Sequence, residues 1–180
     1  MKNNGLMLDV GRFLLRQNTK NISLLFACLF IFSLASCGES KQQKMLHQAV
    51  KIESSDECHL CGMMISEFGG PKGEIYRKEG GGVKKFCSTR DMLSYYLDPE
   101  NKRNVSQLFV HDMSKMPWGK INDSYFIDAK KAWFVAGSNK MGAMGKTLAS
   151  FSKQDDANAF AKEFGGKVLR FEQIQLDDLL

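Results

Sequence analysis

The 180-residue chain lacks the arrangements that mark the common enzyme classes. It has no nucleophile–base pair, no paired carboxylates and no phosphate-binding glycine loop. Acid–base, covalent and phosphoryl-transfer chemistry each need one of these, so the sequence reads as a non-enzyme. A clustered basic stripe is missing too. The formal net charge is +5 at pH 7, but Lys2, Arg12, Arg16 and Lys20 stand against Asp9 alone in residues 1–36. That segment holds +3, which leaves about +2 for the rest. Nucleic-acid binding needs concentrated positive charge, and no nucleic-acid partner is expected. No second CxxC and no HxxxH pair accompanies the single Cys58-x-x-Cys61.

No apolar run reaches the ~20 residues of a membrane-spanning helix. The longest, Ile22–Ser36, follows a basic stretch ending at Lys20 and stops in small residues, the pattern of an export signal. It ends in Leu34-Ala-Ser-Cys37, which resembles a bacterial lipobox. Residues 1–36 are therefore expected to be a lipoprotein signal peptide, cleaved before Cys37, which carries the lipid, palmitate included. The polar stretch 37–55 is expected to be a flexible tether, with His47 in solvent. The domain would then lie in the cell envelope, facing the periplasm and tied to the membrane by its lipid anchor.

Five cysteines are present. Cys28 leaves with the signal and Cys37 is modified, so Cys58, Cys61 and Cys87 remain in an oxidising compartment. Three thiols cannot all pair internally, so at least one is free, reactive or metal-bound.

The domain reads as α+β. Strands are expected at Glu74–Arg77, Val83–Phe86 and Val105–His111, and again at Tyr125–Ile127, Ala132–Val135 and Val168–Phe171. Ser88-Thr-Arg-Asp91 reads as a capping box opening a helix through Tyr96, stopped by Asp98-Pro99. Ser152-Lys-Gln-Asp155 reads as a second, opening a helix to Phe164 with Ala157, Phe160, Ala161 and Phe164 on one face. Two related β-β-α-β units are predicted, 56–118 and 119–180. The alternative is one α+β domain without internal symmetry.

Chemistry concentrates in Asp56-Glu-Cys-His-Leu-Cys-Gly-Met-Met-Ile65. A closed zinc site needs four ligands, which Cys87 and His111 would complete as Cys3His. A thioredoxin-type pair starts a helix, and the Gly62 and Phe68-Gly-Gly-Pro-Lys-Gly73 that follow are poor helix material. Thiolate and thioether together suit copper(I). Met63 and Met64 follow Cys61 directly, and Met141 and Met144 lie far off among glycines, with no helical or strand period. His59, Met64 and Met141 are candidate ligands by proximity. Trp133 reads as core, and His111 as a half-buried structural histidine.

The mature pattern resembles the NosL family of copper-binding lipoproteins encoded with nitrous oxide reductase maturation factors. The resemblance rests on the lipobox, on Cys61-Gly-Met63 with Gly70-Pro-Lys-Gly73, on Ala132-Trp-Phe-Val-Ala-Gly-Ser138, and on the Met144-Gly loop. It implies two β-β-α-β units related to the organomercurial lyase fold. It also implies copper(I) binding by Cys61, Met63 and Met144, and delivery to apo nitrous oxide reductase or its maturation machinery. Cys58 occurs in only part of the family, so its role stays open. The other reading is a thiol–disulfide or zinc-binding envelope lipoprotein using Cys58, Cys61 and Cys87.

Overall fold

The computed structural model describes residues 47–180. The expected signal peptide, Cys37 and the tether up to residue 46 lie outside the described residues. No helix among the described residues is long and apolar enough to cross a membrane.

Mixed sheet and helix build the domain, as expected. The first sheet holds β1 (Gly73–Arg77), β2 (Val83–Phe86), β3 (Val105–His111) and β4 (Phe126–Asp128), in the order β2-β1-β3-β4, all antiparallel. Helix α1 (Thr89–Leu97) and the short α2 (Pro99–Arg103) connect β2 to β3. The second sheet holds β5 (Trp133–Ala136), β8 (Ala149–Phe151) and β9 (Lys167–Arg170), in the order β8-β5-β9, with α3 (Gln154–Phe164) between β8 and β9. A separate hairpin, β6 (Met141–Gly142) and β7 (Gly145–Lys146), is inserted between β5 and β8.

Strand β4 follows the expected boundary at 118/119, yet it pairs with β3 of the first sheet. The main core also crosses that boundary, joining Ile75, Phe86 and Leu108 to Phe134, Leu148 and Ile174. Phe171, expected to end a strand, instead opens a 3-10 turn to Gln173. The methionine loop is a hairpin rather than irregular chain. Its two-residue turn, Ala143-Met144, supplies the register that the glycine-rich sequence hides.

Strand β1 explains why a simple alternation is absent there. Side chains alternate between faces of a strand, and here both faces are buried. Gly73 and Ile75 face α1. A Cβ at Gly73 would lie 2.5 Å from the Met92 sulfur, so only glycine admits the helix this closely. Glu74 and Tyr76 face the other way, and residues 47–52 cover them. Val50 N donates to Glu74 Oε2 at 3.0 Å, Tyr76 Oη donates to the Gln48 carbonyl at 2.7 Å, and His47 stacks on Tyr76. Ile52 is buried, and its amide donates to Asp123. The stretch 47–52, expected to be part of the free tether, is thus a strap bound along the back of the sheet. The strap needs partners from β1 and from residue 123, which no local pattern announces.

Glu74 is fully buried, and its Oε1 has no hydrogen-bond partner. Burial pushes its pKa up to about 7 from an ordinary 4.5. A folded-state pKa above the unfolded one adds stability that is complete below about pH 4.5. That stability is lost as pH rises through about 7, roughly 3 kcal/mol in all. Urea unfolding of both chains should therefore show the wild type losing stability relative to Glu74→Gln between about pH 4.5 and about pH 7. Equal losses in both chains would place the titration elsewhere.

Candidate metal centre

The first two cysteines sit on a tight reversal. Glu57 and Met64 pair as an isolated bridge, Cys58 N donates to the Met63 carbonyl at 2.9 Å, and Gly62 N donates to the Cys58 carbonyl at 2.8 Å. Gly62 closes this turn at φ 74, a conformation that glycine adopts at little cost. His59 N donates to the Lys85 carbonyl at 2.8 Å, which ties the reversal to β2. Strand β2 then ends at Phe86 and delivers Cys87 just before the N-cap of α1.

Three thiols and a carboxylate converge there. One ligand atom from each of Cys58, Cys61, Cys87 and Asp91 lies within 4.8 Å of the others. The Cys61 and Cys87 sulfurs are 3.4 Å apart, and the Cys87 thiol donates to Asp91 Oδ2 at 2.9 Å. Cys58 Sγ is 4.0 Å from the same oxygen. Cys58, Cys87 and Asp91 are buried, and Cys61 is half-buried, so the cluster opens to solvent on the Cys61 side.

Electrostatics separate the thiols. The neighbouring Cys87 thiol, and then the amides of Cys87, Cys61 and Leu60, pull Cys58 below the usual thiol range despite its burial. Cys87 has one proton to give and its closest acceptor is Asp91, so the amides carry a real share of that pull. Cys87 itself is pushed up, by its hydrogen bond to Cys58, by burial and by the Asp91 charge. Burial also raises Cys61. The cluster thus favours one thiolate and two thiols, and a metal that recruits more sulfur must displace protons.

Lys72 lies behind this cluster, with no exposed surface. Its ammonium donates to the carbonyls of Phe68, Gly69 and Cys87 at 2.6, 3.2 and 2.9 Å. Burial lowers its pKa to about 8, opposed by the negative character of Cys87, Cys58 and Asp91.

Several expected ligands stand apart from the sulfur cluster. The His59 ring pairs with Lys84 Nζ at 2.7 Å and meets Phe86 and Tyr95 edge-on. Burial and the Lys84 charge lower its pKa, and it is not in the convergent group. His111 is fully buried, with Nδ1 accepting from Lys72 N and Nε2 donating to Asp123. The Cys3His alternative for zinc gives way to Cys3Asp, because Asp123 and the Lys72 amide already occupy both nitrogens of His111, which is structural as expected. The capping boxes need correction as well. Ser88 accepts from Asp91 N, but the Asp91 carboxylate turns to the sulfurs instead of reaching back. Helix α3 has no side-chain cap, and Ser152 N donates to Asp112 instead.

The methionines lie on two segments, the cysteine reversal and the second-half hairpin. Met63 and Met64 are half-buried on the reversal, whereas Met141 and Met144 are exposed on the β6–β7 hairpin. That hairpin is fastened to the start of α1. The Arg90 guanidinium donates to the Met144 carbonyl, and Thr89 Oγ1 meets Thr147 Oγ1 at 3.0 Å. Trp118 Nε1 donates to the Met141 carbonyl, and the Trp118 carbonyl accepts from Gly70 N. The second-half hairpin is therefore bound to the same helix end that follows Cys87.

A sequence model of the NosL family matches residues 49–179. The chain belongs to the NosL family. It is 48% identical over 150 residues to the copper-binding lipoprotein NosL of Stutzerimonas stutzeri, covering 83% of this chain and 78% of that one. To the copper-binding lipoprotein NosL of Achromobacter cycloclastes it is 33% identical over 144 residues, covering 78% and 74%. The crystal structure of the copper chaperone NosL from Shewanella denitrificans superimposes with a TM-score of 0.71 at 56% identity, over 72% of this chain and 97% of that one. The NosL match begins at residue 49, so it includes most of the docked strap.

Asp91 was assigned only a capping role from sequence, although a carboxylate four residues after a cysteine near a helix start shares its face. Replacing it with asparagine removes the charge that holds the Cys87 proton. Asp91→Asn should lower the Cys87 pKa, read as thiolate absorbance appearing at lower pH. An unchanged thiolate titration would show that the carboxylate does not govern Cys87.

Proposed function

We propose that this NosL-family chain is a copper(I) metallochaperone of the cell envelope, carrying copper as cargo for assembly of the nitrous oxide reductase copper centre. The observation that carries this reading is the convergence of three cysteine sulfurs with the Asp91 carboxylate, only Cys61 being half-open to solvent. Sulfur donors suit a soft monovalent ion. The names of the relatives point the same way.

In this reading Cys61 is the principal ligand, at the mouth of the site. Cys58 and Cys87 are further thiolates within reach. Met63, and Met144 at the hairpin tip, supply thioethers, Met64 and Met141 are reserve donors on the same two segments, and His59, paired with Lys84, needs to leave that partner to join them. A site assembled from a short reversal, a strand end and a hairpin gives up its ligands one at a time, which suits hand-over to a partner. We also read β1-β2-α1-β3 and β5-β8-α3-β9 as two copies of one β-β-α-β unit, since each sheet places its third strand beside its first. Lipidation at Cys37 and a periplasmic face complete the proposal. The acceptor is apo nitrous oxide reductase or its maturation machinery.

Competition titration of the reduced protein against a copper(I) chelator, repeated with zinc, tests it. One copper(I) should bind, and more tightly than zinc. Tighter zinc binding would favour a closed Cys3Asp zinc site and overturn the assignment.

A further inference from the structure

We propose that Cys61 and Cys87 form a dithiol–disulfide site that exchanges with an external disulfide and thereby closes the metal centre covalently. Their sulfurs are 3.4 Å apart, near van der Waals contact, although the residues are 26 positions apart in the chain. They also differ in access. Cys61 is half-buried and open to a disulfide arriving from solvent, whereas Cys87 has no exposed surface and its sulfur touches that of Cys61. An exposed attacking thiol with a buried second thiol in contact is the geometry that exchange through a mixed disulfide requires.

Each step balances. The Cys61 thiol gives its proton to solvent and its sulfur attacks one sulfur of an external disulfide, forming a mixed disulfide and releasing one thiolate, which takes up that proton. The Cys87 thiol, hydrogen-bonded to Asp91 Oδ2 at 2.9 Å, passes its proton through that carboxylate to the external thiolate that leaves. The Cys87 sulfur then attacks the Cys61 sulfur, and the second external thiolate leaves. Two protein thiols are oxidised by two electrons, and one external disulfide is reduced to two thiols. Cys58 is left over. It is 3% exposed, and the amides of Cys87, Cys61 and Leu60 hold its sulfur.

The consequence for cargo rests on the copper reading given above. A chain with the Cys61–Cys87 bond has lost two of its three cysteine donors and takes up no copper(I) until a dithiol reduces it. Bound copper(I) occupies the same sulfurs and blocks the exchange.

The sequence makes the bond easy to assign. Trypsin leaves Cys58 and Cys61 together in residues 52–72 and Cys87 in residues 86–90. The full chain, reduced and metal-free, is incubated with oxidised glutathione, its free thiols are alkylated, and the digest is examined by mass spectrometry. The expected product joins residues 52–72 to residues 86–90, with the alkyl group on Cys58. Cys58→Ser should keep this product, and Cys61→Ser and Cys87→Ser should each abolish it. A Cys58–Cys61 bond within one peptide, a Cys58–Cys87 link, or no bond under excess oxidised glutathione would overturn the proposal. A copper(I)-loaded sample run in parallel should form the product at least tenfold more slowly. A cross-link that forms at the same rate with and without copper(I) supports the exchange site and overturns the placement of copper on these sulfurs.

Discussion

Replacing Cys61 with serine should lower copper(I) affinity by more than about 100-fold, while the melting temperature moves little. Loss of an outer-shell partner of a metal ligand costs about 10–100-fold. Loss of a principal thiolate should exceed that, because a serine hydroxyl is a hard donor that keeps its proton. Cys61 is half-buried at the open side of the cluster, so serine leaves no deep cavity. Chelator competition together with a thermal melt separates ligation from packing. Met63→Leu and Met144→Leu, which keep volume and apolarity, should weaken binding in smaller steps. If Cys58→Ser matches Cys61→Ser, the site is a bis-thiolate in which Met63 and Met144 are accessory. If Met144→Leu changes nothing, the β6–β7 hairpin has a use other than ligation.

The Lys72→Met chain should lose about 2–4 kcal/mol of stability and also bind copper(I) more weakly. Methionine matches much of the lysine volume but donates no hydrogen bond. Three carbonyls then lose their partner, those of Phe68, Gly69 and Cys87. A buried acceptor left alone costs about 1–3 kcal/mol. Removing the ammonium recovers part of its own burial cost, the cost that lowers its pKa to about 8. The unpaired carbonyls outweigh that gain, because breaking a buried charged network by deleting one member is strongly destabilising. Copper affinity should follow, since Lys72 joins the loop after the cysteine reversal to the backbone of Cys87. Urea unfolding and chelator competition on the same variant measure both effects. Undiminished stability would mean that water replaces the ammonium at all three carbonyls.

The secondary structure was legible wherever a local rule operates. The helix at α1 follows from Ser88 as cap and Pro99 as stop, and the structure places it at Thr89–Leu97. Strand β3 was expected at Val105–His111 and lies there. The rules failed where a side chain had a better distant partner. Asp91 has the spacing of a capping box, but its carboxylate accepts from the Cys87 thiol at 2.9 Å instead of from the Ser88 amide. Residues 47–52 look like solvated tether by composition. They bind because Glu74, Tyr76 and Asp123 offer hydrogen-bond partners, and a strap without regular alternation shows none of this beforehand.

The sequence by itself determined the donor chemistry. Cys58, Cys61 and Gly62 make one local reversal, and only a glycine-like backbone at residue 62 turns it tightly enough for both sulfurs to converge. The type of donor is likewise a property of the residue and not of the fold. Tertiary structure alone decided which distant groups join them. Cys87 and Asp91 lie 26 and 30 residues beyond Cys61, and they arrive because the β1–β2 hairpin and the start of α1 close over the reversal. Long-range pairing also removed His111, whose ring nitrogens are taken by Asp123 and the Lys72 amide. Spacing in the chain cannot reveal such choices, since contacts between distant segments depend on how the sheets register and pack.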